Sequence, residues 1–406
     1  MSPQLMADVH LHQVPGFRAM GVATGVKKER PDLAIIVSDV PGTTGAAVFT
    51  QNAFAAAPVH VGRQHAGDGD LRAIVVNSGN ANACTGRQGL RDALTMAEEA
   101  AAALGVEKEQ ILVCSTGIIG RPMPMAKIVP GIHECARQLD AAKGNEASLA
   151  ILTTDSGPKT AHRVFRANGR DYQIAGIAKG AGMIHPNMAT MLGFMVTDAP
   201  IPADALRHGL KTAVDRSFNQ ITVDGDESTN DTCAILANGA SGGDPLETGH
   251  HEWPAFQTAL TELCQDLAKR IPADGEGATK LVTINVHGTA DGDDARTLAR
   301  GVAASILVKC AIHGNDPNWG RIIAALGQQG IPVDTQRIQI DFAASGRRTT
   351  ILDHGEPTGN LVEASEILSA PEITIDITVG EGPGKGLAWG CDMTTDYVTF
   401  NAEYHT

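Results

Sequence analysis

Basic residues are scarce in this chain of 406 residues. Lys and Arg number 32 against 46 Asp and Glu, the formal net charge is −14, and no block of Lys or Arg occurs anywhere. A protein that binds a phosphate backbone needs a cluster of positive charge. The sequence therefore argues against nucleic acid as a partner.

Long apolar runs are also missing. The first residues, MSPQLMADVHLHQVPGF, have neither the basic start nor the apolar core of a secretory signal. No run approaches the roughly 18 apolar residues that a membrane span needs. We therefore expect a cytoplasmic protein with no membrane partner.

With 43% hydrophobic and 19% charged residues, the composition is that of a globular chain of about two to three compact units.

The cysteines form no C-x-x-C motif. An odd and widely scattered set fits reduced thiols of the core better than disulfides or a zinc site. We therefore expect no metal and no cofactor. The seven residues are Cys84, Cys114, Cys135, Cys233, Cys264, Cys310 and Cys391.

Short β-rich runs alternate with amphipathic helical patterns along the whole chain. Helices are predicted at 90–104 and from Asp293 to about residue 308. Strands are predicted at 33–38, 45–50, 73–77, 111–113, 191–196, 281–286, 338–342, 373–379 and 397–401. No linker composition and no short repeat divides the chain. The fold class is therefore α/β or α+β, with mixed β-sheets covered by helices, and the topology stays open.

One segment, at 177–199, carries a candidate nucleophile. It reads IAKGAGMIHPNMATMLGFMVTDA, in which two glycines permit a close backbone approach and Pro186 stiffens the following turn. Thr190 stands directly before a nearly all-apolar run, as a hydroxyl at the mouth of a buried strand. From spacing alone, the simpler interpretation is that Thr190 begins a strand, since Thr has good β propensity.

The whole string decides between these interpretations, because KGAGM followed by PNMATML resembles the autocleavage site of the ornithine acetyltransferase (ArgJ) family. Further stretches resemble family signatures in family order, essentially from end to end. They are VPGFRAMGVATGVKK (14–28), AAVFTQNAFAAAPV (46–59), VVNSGNANACTG (75–86), STGIIG (115–120), ITVDGDESTNDT (221–232), DPNWGRI (316–322) and DYVTFNAEYHT (396–406).

The resemblance implies a precursor that cuts itself between Ala189 and Thr190. Residues 1–189 would form an α chain, and residues 190–406 would form a β chain that begins with the nucleophile. The resemblance further implies a heterotetramer of two α and two β chains and the ArgJ/DmpA-like N-terminal-nucleophile fold. The cut frees an α-amine on Thr190. Because such an amine titrates near ~7.7 to 8.0, it can accept the proton of the hydroxyl on the same residue.

The resemblance also assigns the other site residues. Thr116 and Gly117 of STGIIG would stabilise the oxyanion, although these letters alone indicate only a turn. The resemblance does not say which charged residue holds which substrate group; from their charges alone, we expect Lys179 to hold a carboxylate and Glu276 an ammonium. Individually, each polar residue of this kind is more often a solvated surface residue. The full substrate-binding set is Thr153, Lys179, Thr190, Glu276, Asn401 and Thr406.

Three other motifs fail on their chemistry. The G-x-S-x-G match at 239–243 is followed by a Gly-Asp-Pro loop, whereas a serine-hydrolase elbow needs a helix there. The acidic run from Asp224 has Thr229 where a calcium loop needs Gly. The glycines at 380–386 fit neither a dinucleotide motif nor a P-loop and indicate a loop.

The resemblance implies acetyl transfer from N-acetylornithine to glutamate in arginine synthesis. Acetyl-CoA as a second acetyl donor stays open, because no residue separates members that use it from those that do not. A related N-terminal-nucleophile aminopeptidase or acyltransferase with another substrate is the alternative enzyme. An uncleaved metabolite-binding protein is a third possibility, which the presence of Thr190, Thr116, Gly117 and Lys179 disfavours.

Overall fold

A computed structural model describes residues 10–28, 30–140, 145–185 and 191–403. The strands in chain order are β1 (Phe17–Val22), β2 (Leu33–Ser38), β3 (Thr44–Phe49), β4 (Ala73–Asn80), β5 (Ile111–Ile118), β6 (Lys159–Ala167), β7 (Arg170–Lys179), β8 (Leu192–Thr197), β9 (Thr232–Ala237), β10 (Leu281–Thr289), β11 (Gln339–Ala344), β12 (Arg347–Asp353), β13 (Glu356–Pro357), β14 (Glu372–Thr378) and β15 (Gly384–Cys391).

Helices separate many of these strands. They are α1 (Ala57–His65), α2 (Gly86–Leu104), α3 (Met125–Arg137), α4 (Glu146–Ala150), α5 (Ala203–Asp215), α6 (Trp253–Ala273), α7 (Gly292–Ala304), α8 (Ile306–His313), α9 (Trp319–Gly327), α10 (Leu361–Leu368) and α11 (Thr395–Glu403). The mixed α/β class predicted from the sequence is confirmed.

Two sheets stack face to face in the first part of the chain. One has the order β1-β2-β4-β5, and the other has the order β3-β9-β8-β7-β6. Their facing side chains form one core, to which Ile36, Val76, Ile177 and Phe194 belong. Strand β2 is buried on both faces, which explains its unbroken apolar run.

Helices cover the two outer faces of this pair of sheets. Helices α2 and α3 pack on the four-stranded sheet through residues such as Met96 and Ile132. Helices α5 and α6 pack on the five-stranded sheet through residues such as Leu210 and Leu263. This part of the chain therefore has four layers in the order helix, sheet, sheet, helix, and the strands between the helical layers are shielded from water.

A third sheet, with the order β13-β12-β11-β14-β10-β15, occupies the last part of the chain. Helices α7, α9 and α10 contribute to its core. Strand β15 also joins this unit to the first two sheets, because Trp389 and Cys391 belong to the core on the α5–α6 side.

The cut predicted between Ala189 and Thr190 falls in the connection from β7 to β8. These strands are antiparallel neighbours, and Lys179 pairs with Leu192. Residues before and after the predicted cut therefore share one hydrogen-bonded sheet. The division into chains 1–189 and 190–406 stays a prediction.

Most predicted elements coincide with observed ones, and three differ. The helix expected up to residue 308 ends at Ala304, because Ser305 caps a separate helix α8 by accepting a hydrogen bond from Val308 N. The strand predicted at 397–401 is wrong, since α11 occupies it and Thr394 Oγ1 accepts from Tyr397 N, 3.2 Å away. The loop predicted at 380–386 ends earlier, because β15 begins at Gly384 and pairs with β10.

All seven cysteines are unpaired thiols. Five are buried as predicted, but Cys84 and Cys310 are exposed, so the expectation of seven core thiols is wrong for these two. In the described ranges, no helix combines the length and the apolar character needed to cross a bilayer. The same ranges contain no group of three or more His, Cys, Asp or Glu arranged to hold a metal ion.

Candidate active site

A pocket of about 360 Å³ opens where the two stacked sheets meet. It is lined by the end of β5, the end of β7, the start of β8 and the loop that leads into β9. Six of the residues predicted from the sequence line it, although they come from distant parts of the chain. They are Thr116, Gly117, Thr153, Lys179, Glu276 and Asn401.

Thr116 and Gly117 lie at the end of β5, beside β4. Gly117 has φ of +131°, and a Cβ there would lie 2.4 Å from the carbonyl carbon of Gly79. Only glycine fits this close approach of two backbones. Thr116 is 8% exposed, and its Oγ1 accepts a hydrogen bond from Lys179 Nζ over 3.1 Å. Its own hydroxyl proton is therefore available to a further acceptor in the pocket.

Lys179 ends β7 with its ammonium group inside the protein. It is 8% exposed, which rules out a solvated surface role. Burial lowers the pKa of Lys179, and the carboxylates of Asp155 and Asp231 act in the opposite direction. The amino group of Lys179 is thus held next to the hydroxyl of Thr116 and within the influence of two carboxyl groups.

Asp155 supports this arrangement from behind. Its Oδ1 accepts from Lys159 Nζ at 2.7 Å and from Gly180 N at 2.6 Å, while its Oδ2 accepts from Thr153 N at 3.1 Å. Burial opposes ionisation, but the cations Lys179 and Lys159 and these hydrogen bonds outweigh it and lower the pKa of Asp155. One carboxylate therefore fixes the backbone beside both Thr153 and Lys179.

Glu276 and Asn401 line the pocket from the C-terminal half of the chain. Asn401 Nδ2 donates to Glu276 Oε2 over 3.0 Å, which links helix α11 to the loop after α6. A Cβ on Gly182 would lie 2.4 Å from the Glu276 carboxyl group, so glycine is required for the carboxyl to reach this place. A carboxylate here and an ammonium at Lys179 give the pocket two opposite charges, as a zwitterionic ligand requires.

Ala189, Thr190 and Thr406 lie outside the described residues, so their predicted roles remain predictions. The chain on either side of the predicted cut reaches the pocket, which Met183, Ile184, Met191 and Leu192 line. The carboxylate of Asp224 accepts from the backbone nitrogens of Met183 (2.6 Å) and Ile184 (2.8 Å). Met183 has φ of +56°, an unfavourable conformation for a residue with a side chain.

His185 is the histidine nearest in sequence to the predicted cut, and it does not line the pocket. Its Nδ1 lies 3.1 Å from Thr222 Oγ1. Burial, together with the cations Arg300 and Lys309, lowers the pKa of His185 to about 4. The ring is therefore neutral and only weakly basic near pH 7.

The sequence did not single out three residues that shape the site: Asp155, Asn230 and Asp231. Asn230 Nδ2 donates to Ala81 O (2.5 Å) and Ser115 O (3.0 Å) and so ties the loop before β9 to the end of β5. Asn230 and Asp231 lie in the stretch 221–232 that resembles a family signature, and Asp155 lies outside the stretches named above. The burial of Asp155, Asn230 and Asp231 is visible only in the folded chain.

A model of the ArgJ family matches residues 18–406 of this sequence. The chain belongs to the ArgJ family. The arginine biosynthesis bifunctional protein ArgJ of Bacillus subtilis is 45% identical over 392 residues, which are 96% of this chain and 95% of the relative. The protein of the same name from Symbiobacterium thermophilum is also 45% identical, over 96% of this chain and 97% of its own.

Solved structures include two ArgJ-type proteins. Arginine biosynthesis bifunctional protein argJ from Bacillus halodurans is 43% identical with a TM-score of 0.50, and the match covers 52% of this chain and 98% of that chain. Ornithine acetyltransferase from Mycobacterium tuberculosis, complexed with ornithine, is 38% identical with a TM-score of 0.40, over 44% of this chain and 95% of its own. The family match and the curated relatives show that this chain is an enzyme, as predicted.

Proposed function

We propose that the chain is an ornithine acetyltransferase of arginine biosynthesis that moves an acetyl group from N-acetylornithine to glutamate through an ester on Thr190. The single observation that carries the proposal is the convergence of the six predicted residues on one pocket, into which the start of β8 also opens. The names of the relatives, which place them in arginine biosynthesis, support it.

Self-cleavage would come first. The Oγ of Thr190 attacks the carbonyl carbon of Ala189, the peptide C–N bond breaks, and an ester with a free α-amine on Thr190 results. Water then hydrolyses the ester and leaves a carboxylate on Ala189 and a free hydroxyl on Thr190.

Acetyl transfer would follow on the same hydroxyl. The α-amine of Thr190 accepts the hydroxyl proton while Oγ attacks the acetyl carbonyl of N-acetylornithine. The tetrahedral oxyanion accepts hydrogen bonds from the Thr116 hydroxyl and from Gly117 N–H. Collapse breaks the acetyl–nitrogen bond, and the proton passes to the departing ornithine amine. The amine of glutamate then attacks the ester carbonyl, the bond between the acetyl carbon and Thr190 Oγ breaks, a proton from the attacking amine returns to Oγ, and N-acetylglutamate leaves.

The charges of the pocket suit these two amino acids in turn. Ornithine and glutamate each carry an α-carboxylate, for which we propose the ammonium of Lys179. The far-end ammonium of N-acetylornithine is suited to Glu276, which Asn401 holds in place. Thr153 and Thr406 would complete the binding set with polar contacts.

We further propose that the α and β chains stay together as a heterotetramer of two α and two β chains. The pairing of β7 with β8 supports the association of one α chain with one β chain, since the sheet spans the proposed cut. The relatives' name, bifunctional protein, also favours a second activity. We propose acetyl-CoA as the second acetyl donor, because a thioester can acylate the same hydroxyl and the amine of glutamate can again accept the acetyl group.

The test offers the purified protein four mixtures: N-acetylornithine with glutamate, N-acetylornithine alone, acetyl-CoA with glutamate, and an unrelated aminopeptidase substrate. The proposal expects N-acetylglutamate from the first and third, and Thr190→Ala should abolish both. Peptidase activity without acetyl transfer would instead support the related aminopeptidase. N-acetylglutamate from the first mixture alone would remove only acetyl-CoA from the proposal.

A further inference from the structure

A second cavity, of about 510 Å³, shares no described lining residue with the pocket of the candidate active site. One face of helix α7 lines it, through residues that recur at the three- and four-residue steps of a helix. They are Asp293, Arg296, Thr297, Arg300 and Ala304. Further lining residues come from the end of α5, from the turn Phe218–Gln220 and from the segment just after α9. We call this space the Arg300 cavity.

Arg300 lines this cavity with a guanidinium group that is incompletely paired. Its Nη2 donates to His185 O over 3.2 Å, whereas its buried Nε has no hydrogen-bond partner. Burial lowers the pKa of Arg300, and the carboxylate of Glu227 acts in the opposite direction. A guanidinium withdrawn from water is stabilised most by an anion that accepts from two of its nitrogens at once. Arg300 therefore favours an anionic ligand in this cavity.

Gln220 is a second incompletely paired side chain in the same wall. It is 7% exposed, and its Nε2 donates to Asp215 O over 3.2 Å, but its buried Oε1 has no hydrogen-bond partner. A buried acceptor without a donor is unfavourable, so each such group in a cavity wall calls for a reason. An N–H group on a ligand would satisfy this oxygen.

A neighbouring cavity of about 440 Å³, which we call the Lys385 cavity, shares Gln220 and Arg296 with the first one. Its described lining residues include the cations Arg216, Arg296 and Lys385 and no Asp or Glu. The chain as a whole has a net charge of −14. The fold therefore collects positive charge here from segments that are far apart in the sequence.

The acidic residues of the Arg300 cavity already have cationic partners. Asp215 accepts from Lys211 Nζ over 2.6 Å, and Asp293 pairs with Arg296. Arg300 forms no ion pair within the described part of the chain. The acidic groups of the wall thus leave its charge available to a ligand.

We propose that the two adjoining cavities bind a nucleotide, whose phosphate groups accept hydrogen bonds from Arg300 and lie near Arg296 and Lys385, and whose base or amide N–H donates to Gln220 Oε1. A single carboxylate would use only one guanidinium, whereas the cations are spread over both cavities. The site lies outside the acetyl-transfer pocket, so this inference goes beyond the proposed function and does not depend on it.

The same chemistry occurs in a free nucleotide and in coenzyme A, and calorimetric titration of the purified protein with ADP, coenzyme A and inorganic phosphate separates the two sources. ADP and coenzyme A should bind and compete with each other. Coenzyme A at least about tenfold tighter than ADP identifies the coenzyme as the ligand, and similar affinities identify the nucleotide alone. Binding of neither, or of inorganic phosphate without ADP, overturns the proposal.

Competition with a substrate shows whether the nucleotide occupies the acetyl-transfer pocket instead. Saturating N-acetylornithine should leave the affinity for ADP unchanged, because the two sites share no described lining residue. Displacement of ADP by N-acetylornithine would contradict a separate site. A protein that binds ADP as expected but transfers no acetyl group would refute the proposed function and leave this inference standing.

The decisive variant is Arg300→Gln, with Arg72→Gln as its matched control. Arg72 also donates through Nη2 to a backbone carbonyl, Ser38 O at 3.0 Å, and also has a buried Nε without a partner, but it lines neither cavity. Arg300→Gln should weaken ADP binding roughly 10- to 100-fold, and Arg72→Gln should stay within about twofold of wild type. Equal losses in both variants, or no loss in Arg300→Gln, would refute the assignment.

A second variant covers a folding failure of Arg300→Gln. Lys385 is exposed, so Lys385→Glu should fold like wild type while it reverses one charge of the Lys385 cavity. It should weaken ADP binding by about tenfold at low salt and by less at high salt, because added salt screens the repulsion. Unchanged affinity for ADP at low salt would exclude phosphate groups from this cavity.

Discussion

The hydroxyl of Thr116 offers the sharpest single test of the oxyanion geometry. Thr116→Val keeps the shape of a side chain that is 8% exposed and removes only the hydroxyl. Loss of one donor to an oxyanion lowers kcat by roughly 10² to 10³, which is about 2.7 to 4 kcal/mol of transition-state stabilisation. KM should change little, because the oxyanion exists only in the transition state and the intermediate.

Thr116→Val should also lower the stability of the fold. Lys179 Nζ donates to Thr116 Oγ1 over 3.1 Å, and valine leaves this buried ammonium without that acceptor. The free energy of unfolding should fall by roughly 1 to 3 kcal/mol, measurable by urea titration. Thr116→Ser is the control, because it keeps the hydroxyl and should retain both stability and most of kcat. A valine variant with kcat within about twofold of wild type would refute the assignment of Thr116.

Three further predictions follow from the site. Lys179→Met should slow both half-reactions, acetylation by N-acetylornithine and deacetylation by glutamate, by similar factors of roughly 10- to 100-fold. Rapid-quench assays measure each half-reaction, and an effect on only one of them would contradict a shared carboxylate site. His185→Gln should keep the rising limb of the pH–rate profile, because burial lowers the pKa of His185 to about 4 and a group near ~7.7 to 8.0 is expected to control that limb. Loss of the rising limb in this variant would make His185 the base. Gly117→Ala should lower activity at least about 100-fold and lower Tm, because its Cβ would meet the Gly79 backbone at 2.4 Å. The control Gly120→Ala, at a glycine that also has positive φ but nothing within 4 Å, should keep the activity. Equal effects of the two substitutions would exclude the steric cause.

The sequence predicted strands and site residues wherever the information is local. The apolar run of β8 predicted a buried strand. The family resemblance, rather than the letters STG themselves, assigned Thr116, Gly117 and Lys179 to one site, and the structure brings these three residues together. The class of mixed sheets covered by helices was predictable from the alternation of β-rich runs and helical patterns.

Other features depend on contacts between distant segments and could not be predicted in this way. Asp155 and Asp231 look like ordinary loop carboxylates in the sequence, and only the folded chain buries them beside Lys179. Helix α11 contains the β-prone letters YVTF, which favoured a strand. A local cap at Thr394 and the absence of a described neighbouring strand at this place decided for a helix.

The most direct test of the central claim is intact-mass analysis of the purified protein before and after addition of N-acetylornithine without glutamate. The proposed mechanism predicts two fragments divided between Ala189 and Thr190, and a gain of about 42 Da, one acetyl group, on the fragment that begins with Thr190. Addition of glutamate should remove this mass. A full-length chain with full activity, or a turnover-competent enzyme that never carries the acetyl group on Thr190, would contradict the mechanism.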